Sequence, residues 1–251
     1  MEKLTNLLPT TITAVWLVGI VGAIAESMPK VRIMHTPEGI ELGIWSNTNR
    51  EQPAPTLIVL ATTIQKTLDL PYYRHCGNQL ADSGYICVSI NLPCHGDQLV
   101  EGEPEGLSGW SYRTGQDSDF VSEFNLRMSK VLDHLIGKGI ADPKKIAACG
   151  TSRGGFLALH FAIHDPRVKC VACFAPVTDL SILREFNKSR ECRLVKKLNL
   201  IDRAKDLAGK KVWIVIGCNG FAPTAVFVLM VKEPLNGSPN VRRTHVFFNT
   251  S

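Results

Sequence analysis

The stretch Ile146-Ala147-Ala148-Cys149-Gly150-Thr151-Ser152-Arg153-Gly154-Gly155-Phe156 decides the fold. Its first four residues are an apolar run of the kind that forms a strand buried on both faces. Gly155 to His164 reads as a helix. Between them, Gly150-Thr151-Ser152-Arg153-Gly154 fits G-x-S-x-G, a strained strand-to-helix turn that lifts a serine hydroxyl above the edge of a sheet. Glycines are needed there because side chains would collide with adjacent backbone. The Arg153 N–H, at the helix start, points to where an oxyanion would form. A bare G-x-S-x-G is a weak signal, but one set between a buried strand and a helix is specific.

Outward from this turn the chain alternates. Val31 to Trp45 reads as an N-terminal β-hairpin around Pro37-Glu38-Gly39. Thr56–Ala61 and Tyr85–Asn91 are buried strands, with a helix over Pro71–Ser83 between them that Gly84 ends. Residues 98–118 are polar and rich in Gly, Glu and Ser, and are expected to be a long surface excursion. Asp119 is placed to cap a helix in which Phe120, Phe124, Met128, Val131, Leu132 and Leu135 recur at helical spacing. Val168–Phe174 and Val212–Gly217 are further strands, with mixed helix and loop over Ser181–Ala208, a possible helix over Ala222–Lys232 and a final strand over Arg242–Phe248. This order calls for an α/β architecture, a doubly wound, mostly parallel sheet whose chemistry sits at the carboxyl ends of its strands.

A chain of 251 residues suits one such domain. The net charge of +5 is spread along the chain, without basic runs interleaved with aromatics, so no nucleic-acid partner is expected. Ile12–Ala25 is apolar, ends in Ala23-Ile24-Ala25 and is followed by Glu26. Residues 1–25 therefore read as a signal peptide with an A-x-A cleavage site, or as an N-terminal anchor, and the protein as secreted or periplasmic. Cys87, Cys149, Cys170 and Cys173 fall in or beside central strands, so the cysteines are expected to be mostly reduced and structural. Cys170 and Cys173 have CxxC spacing, but residues three apart on a strand point to opposite faces.

The stretch Ala141-Asp142-Pro143-Lys144-Lys145-Ile146 followed by Gly150-Thr151-Ser152-Arg153-Gly154-Gly155 resembles the α/β-hydrolase superfamily, in its prolyl-oligopeptidase-like and dienelactone-hydrolase-like branch. Asp165-Pro166-Arg167-Val168-Lys169, then Phe174-Ala175-Pro176-Val177-Thr178-Asp179-Leu180, continues the resemblance, as does Leu207-Ala208-Gly209-Lys210. It spans about residues 31–219 and implies the α/β-hydrolase fold. It also implies a serine hydrolase mechanism with no cofactor, in which Ser152 attacks an acyl carbon and two backbone N–H groups hold the oxyanion. Those donors would be Arg153 and Thr62, or failing that Thr63. The substrate would be a small-molecule ester or a short peptide. An ester is preferred, because too few residues precede Thr56 for the propeller domain that accompanies such peptidases.

Two landmarks of the family depart from its pattern. Ile216-Gly217-Cys218-Asn219-Gly220 places a glycine where the acid is expected, and only three residues follow Phe248, where the histidine is expected. The domain over residues 31–251 is thus expected to have a diverged or truncated C-terminal part, or to be a pseudoenzyme. Asp179, after the strand Val168–Phe174, is the candidate acid, with helix capping as its alternative role. His95, in the loop after Tyr85–Asn91 at the same edge as Ser152, and His245, early in the last strand and so towards the opposite edge, are the candidate bases. His160 and His164 have metal-ligand spacing, but Phe161 stands where the zinc motif needs a glutamate. His35, His75, His134, Asp202 and Asp206 read as surface or packing residues.

Overall fold

The computed structural model describes residues 31–46, 53–216, 226–227 and 246–247. Strands β1 (Arg32–His35) and β2 (Glu41–Trp45) form the expected antiparallel hairpin. Gly39, at φ +82°, closes its turn, where the Thr36 carbonyl accepts the Gly39 N–H at 2.9 Å. Strand β3 (Ala54–Leu60) is followed by helices α1 (Ile64–Asp69) and α2 (Pro71–Asp82), and these lead into β4 (Ile86–Ser89). Helix α1 was not expected from the sequence. It is a single short helix capped by Thr63, whose hydroxyl accepts the Lys66 N–H.

Residues 98–118, expected to be surface loop, contain helix α3 (Gly106–Gly115), and Trp110 within it is fully buried. Three glycines in one short segment hide a helix from propensity reasoning. Packing demands at least one of them, since a Cβ on Gly109 would lie 2.2 Å from the Pro104 carbonyl oxygen. Helix α4 (Phe120–Gly137) begins at Asp119, which accepts the Ser122 N–H at 3.0 Å, and it buries every apolar residue of the predicted stripe.

Strand β5 (Ala141–Thr151), helix α5 (Arg153–His164), strand β6 (Val168–Phe174), the short helix α6 (Arg193–Lys197) and strand β7 (Lys211–Val215) complete the alternating part. The sheet order is β1-β2-β4-β3-β5-β6-β7, extended by the two-residue strands β8 (Val226–Phe227) and β9 (Val246–Phe247). The five strands from β4 to β7 run parallel, whereas β1, β2, β8 and β9 join antiparallel. Val226–Phe227 are therefore strand inside a stretch that the sequence suggested to be helical. Residues 1–30 and His245 lie outside the described residues.

The strands are buried on both faces because helices cover both. Ile58, Leu60 and Ala148 pack on the side of α4 and α5, while Leu57, Val59 and Cys149 pack on the side of α1 and α2. At the start of β6, buried Asp165 receives the Arg167 guanidinium at 2.6 Å, and Arg167 also reaches Asp133. Burial raises the Asp165 pKa, but the hydrogen bonds from Arg167 outweigh it and hold the carboxyl below its usual range. The Asp165-Pro166-Arg167 motif is thus structural, at the edge of the sheet opposite Ser152. The seven described cysteines are free, and burial pushes the Cys94 thiol up to about 11.

Candidate active site

Ser152 is the single residue between β5 and α5, with φ +53° and ψ −117°. Few non-glycine residues adopt this backbone, and here the surroundings impose it. The Ser152 N–H donates to the Phe174 carbonyl at 2.9 Å, and its own carbonyl accepts from Phe156 at 3.1 Å and Val177 at 3.2 Å. The flanking glycines allow backbone to meet backbone. A Cβ on Gly154 would lie 2.0 Å from the Leu60 carbonyl oxygen, and one on Gly150 would lie 2.3 Å from Gly154. A Cβ on Gly155 would press on Pro176 at 2.8 Å. The serine side chain is exposed at the carboxyl edge of the sheet. Two of the other three described non-glycine residues with positive φ, Cys94 and Ala175, also lie beyond strand ends on this edge.

Arg153 is the first residue of α5, so its N–H has no acceptor within the helix. The other expected donor is displaced. The Thr62 N–H donates to the Thr67 hydroxyl at 3.2 Å, which leaves it committed, whereas no acceptor among the described residues takes the Thr63 N–H. The geometry moves the candidate from Thr62 to Thr63. A residue absent from the sequence reading, Asn91, also belongs here. Its side-chain oxygen accepts the Ile64 N–H at 2.7 Å and its amide donates to Asp97 at 2.7 Å. The available signal was a polar residue closing an apolar strand.

Among the described residues, no hydrogen bond joins Ser152 to His95 or to Asp179. His95 is buried, with Nδ1 at 2.9 Å from the Pro93 carbonyl and Nε2 at 3.1 Å from Arg153 Nη1. A guanidinium only donates, so Nε2 accepts and Nδ1 carries the hydrogen. Both ring nitrogens are engaged, which corrects its reading as a rescue base. Burial, more than the nearby Arg153 charge, lowers its pKa. His160 is locked the same way: Nε2–H donates to the Leu198 carbonyl at 3.1 Å and Nδ1 accepts from Arg203 at 3.3 Å. Burial takes its pKa down to about 3. His35, His75 and His164 are exposed and His134 is half-buried, none with a bond to Ser152. Asp179 accepts the Ser181 N–H at 2.8 Å and caps a single-turn 3₁₀ helix. It also lines an open cleft of about 560 Å³ with Ile182, Arg190, Lys196 and Asp202, and Ser152 is not part of that lining.

Residues 127–190, which contain the turn, match the prolyl oligopeptidase family. The structure overlays on an acetyl xylan esterase from a Paenibacillus species with a TM-score of 0.52 and 18% identity, over 75% of this chain and 72% of that one. It overlays on a putative dipeptidyl aminopeptidase IV from Bacteroides ovatus with a TM-score of 0.55 and 16% identity, over 76% of this chain and 28% of that one. These likenesses show the α/β-hydrolase fold. A 20-hydroxy-prefusarin hydrolase from Gibberella moniliformis is 31% identical over 102 residues, which are 40% of this chain and 22% of that relative. The chain thus spans well under two thirds of the length of the curated relative it matches.

Proposed function

We propose that this α/β-hydrolase chain is a serine hydrolase that cleaves a carboxylic ester through an acyl-enzyme on Ser152. The observation that carries this reading is the strained, exposed Ser152, pinned by three backbone hydrogen bonds between glycines that no side chain could replace. In the proposed step the Ser152 oxygen bonds to the acyl carbon as its proton passes to a general base. The C–O bond to the alcohol then breaks, and the alcohol leaves with that proton. Water repeats the attack on the acyl-enzyme, releasing the acid and restoring the serine. The Arg153 and Thr63 N–H groups would hold the oxyanion in both halves. Asp179 is the proposed acid and His245 the remaining candidate base.

The names of the structural relatives include an esterase and a peptidase, and the same acyl chemistry would serve a short peptide. The second reading is a hydrolase-fold protein without catalysis. The observation favouring it is that no described histidine bonds to Ser152. A fluorophosphonate probe separates the two. Covalent labelling that is lost in Ser152→Ala supports the hydrolase, whereas a folded protein that does not label is the non-catalytic form. The apolar stretch Ile12–Ala25 supports an exported protein, and amino-terminal sequencing of the product recovered outside the cytoplasm tests that.

A further inference from the structure

The loop that follows β4, Asn91–Gly96, touches both places from which the oxyanion donors would come. At one end Asn91 accepts the Ile64 N–H at 2.7 Å, and the Leu92 N–H donates to the Thr62 carbonyl at 3.0 Å. These bonds fix the chain on either side of Thr63. At the other end the His95 ring accepts the Arg153 guanidinium at 3.1 Å. The loop is itself braced. The Pro93 carbonyl accepts both the Trp110 indole N–H at 2.7 Å and the His95 Nδ1–H at 2.9 Å, and the Cys94 carbonyl accepts the Gly106 N–H at 2.9 Å. Gly96, at φ +57°, lies against the Asn91 amide so closely that a Cβ would stand 2.9 Å from it. Gly106 leaves room for the Arg153 side chain, which a Cβ there would meet at 2.9 Å.

We propose that Asn91 and His95 are positioning residues that hold the Thr63 and Arg153 N–H groups at a fixed separation through this loop. The proposal rests on the oxyanion role given to those two groups above. It gives His95 a role that needs a neutral ring. A protonated His95 would turn an N–H toward the Arg153 guanidinium and break the bond. The charged groups facing His95 are Arg153 from α5, Lys66 from α1 and Glu105 from the approach to α3, and burial favours the neutral form further. Acid therefore opens the clasp at its Arg153 end.

The test uses the full chain. Backbone amide resonances of Thr63 and Arg153 are followed by NMR from about pH 7.5 to about pH 5, together with the His95 ring. The expected result is that the Arg153 amide, and more weakly that of Thr63, shift with the same midpoint as the ring, and that this response vanishes in His95→Gln. In parallel, His95→Ala and Asn91→Ala are expected to lower the maximal rate of fluorophosphonate labelling by about tenfold, with little change in the probe concentration at half-saturation. His95→Gln, which keeps an acceptor for Arg153, is expected to recover most of that rate. Amides that ignore the His95 titration, or alanine variants that label at the wild-type rate, would overturn the proposal. If the amides follow His95 but the wild-type protein does not label, the esterase reading fails and the positioning role stands.

Discussion

Replacing Gly154 with alanine tests the physical account of the turn most directly. The added Cβ would stand 2.0 Å from the Leu60 carbonyl oxygen, 2.4 Å from its carbon and 2.8 Å from the Ala61 nitrogen. These are backbone atoms at the end of β3, in the middle of the sheet, and no side chain can swing aside to make room. The closest contact falls about 1.4 Å short of the lower end of ordinary van der Waals distance, so α5 must lift off β3 by roughly that much. Overpacking of this kind costs about 1–3 kcal/mol where side chains can yield, and a backbone-on-backbone clash belongs at the upper end, about 3 kcal/mol. For a domain of this size that lowers the melting temperature by roughly 6–12 °C. Gly137→Ala, at the last residue of α4, is the matched control. A Cβ there meets nothing within 4 Å, and the change is expected to be neutral or to stabilise by up to about 1 kcal/mol. Both variants would be measured by thermal and urea unfolding. A Gly154→Ala protein within about 1 kcal/mol of wild type would refute the reasoning.

The strain at Ser152 predicts that Ser152→Gly is more stable than Ser152→Ala by about 1 kcal/mol, because only glycine adopts its backbone freely; equal urea midpoints would contradict this. Asp165→Asn removes the buried carboxylate facing Arg167, which keeps only its exposed partner Asp133, and should cost about 1–3 kcal/mol at neutral pH. The folded pKa of Asp165 is depressed, so its contribution is present above the ordinary aspartate value and is lost as pH falls through the folded one. The variant should accordingly lose less stability between about pH 5 and about pH 3 than the parent does. His160 and His95 also have depressed values, but as bases. The unfolded chain takes up their protons first, so stability falls as pH drops below about 6.5. With a folded value of about 3, His160 alone should cost about 2 kcal/mol between about pH 6.5 and about pH 5. Unfolding midpoints of wild type and His160→Gln across that range provide the check, and parallel profiles would sink the assignment.

The parts of this fold that were legible in the sequence are those in which one physical requirement writes itself along the chain. Strands β3 and β4 and the Ile146–Cys149 part of β5 show as apolar runs because both their faces are covered, and α4 shows as a stripe because only one of its faces is. The nucleophile turn was legible because backbone contact admits only glycine at Gly150 and Gly154 and the Pro176 ring crowds Gly155. Helix α3 was hidden because its place is set by a single buried tryptophan and by glycine contacts, neither of which has a period. The same holds within the site. The choice of Thr63 over Thr62 depends on a hydroxyl five residues on, and the role of His95 depends on an arginine 58 residues away. Such pairings are tertiary and leave no local mark.

The strain at Ser152 also bears on the choice between a hydrolase and a fold without catalysis. The fold itself needs a residue that tolerates positive φ at this point, and glycine meets that need at the least conformational cost. A serine there is a worse choice for stability, and its side chain makes no hydrogen bond with any described residue that would compensate. What the serine adds is an exposed hydroxyl at the carboxyl edge of the sheet, beside the unpaired first N–H of a helix. Stability therefore gives no reason for the hydroxyl, which supports the proposed hydrolase reading. The described histidines do not supply the matching base. His95 and His160 have each nitrogen bound and are held neutral by burial, which is the state of packing residues rather than of bases. Hence if a fluorophosphonate labels this protein through Ser152, the proton must pass to a group other than these two, and the labelling of His95→Gln and His160→Gln should persist.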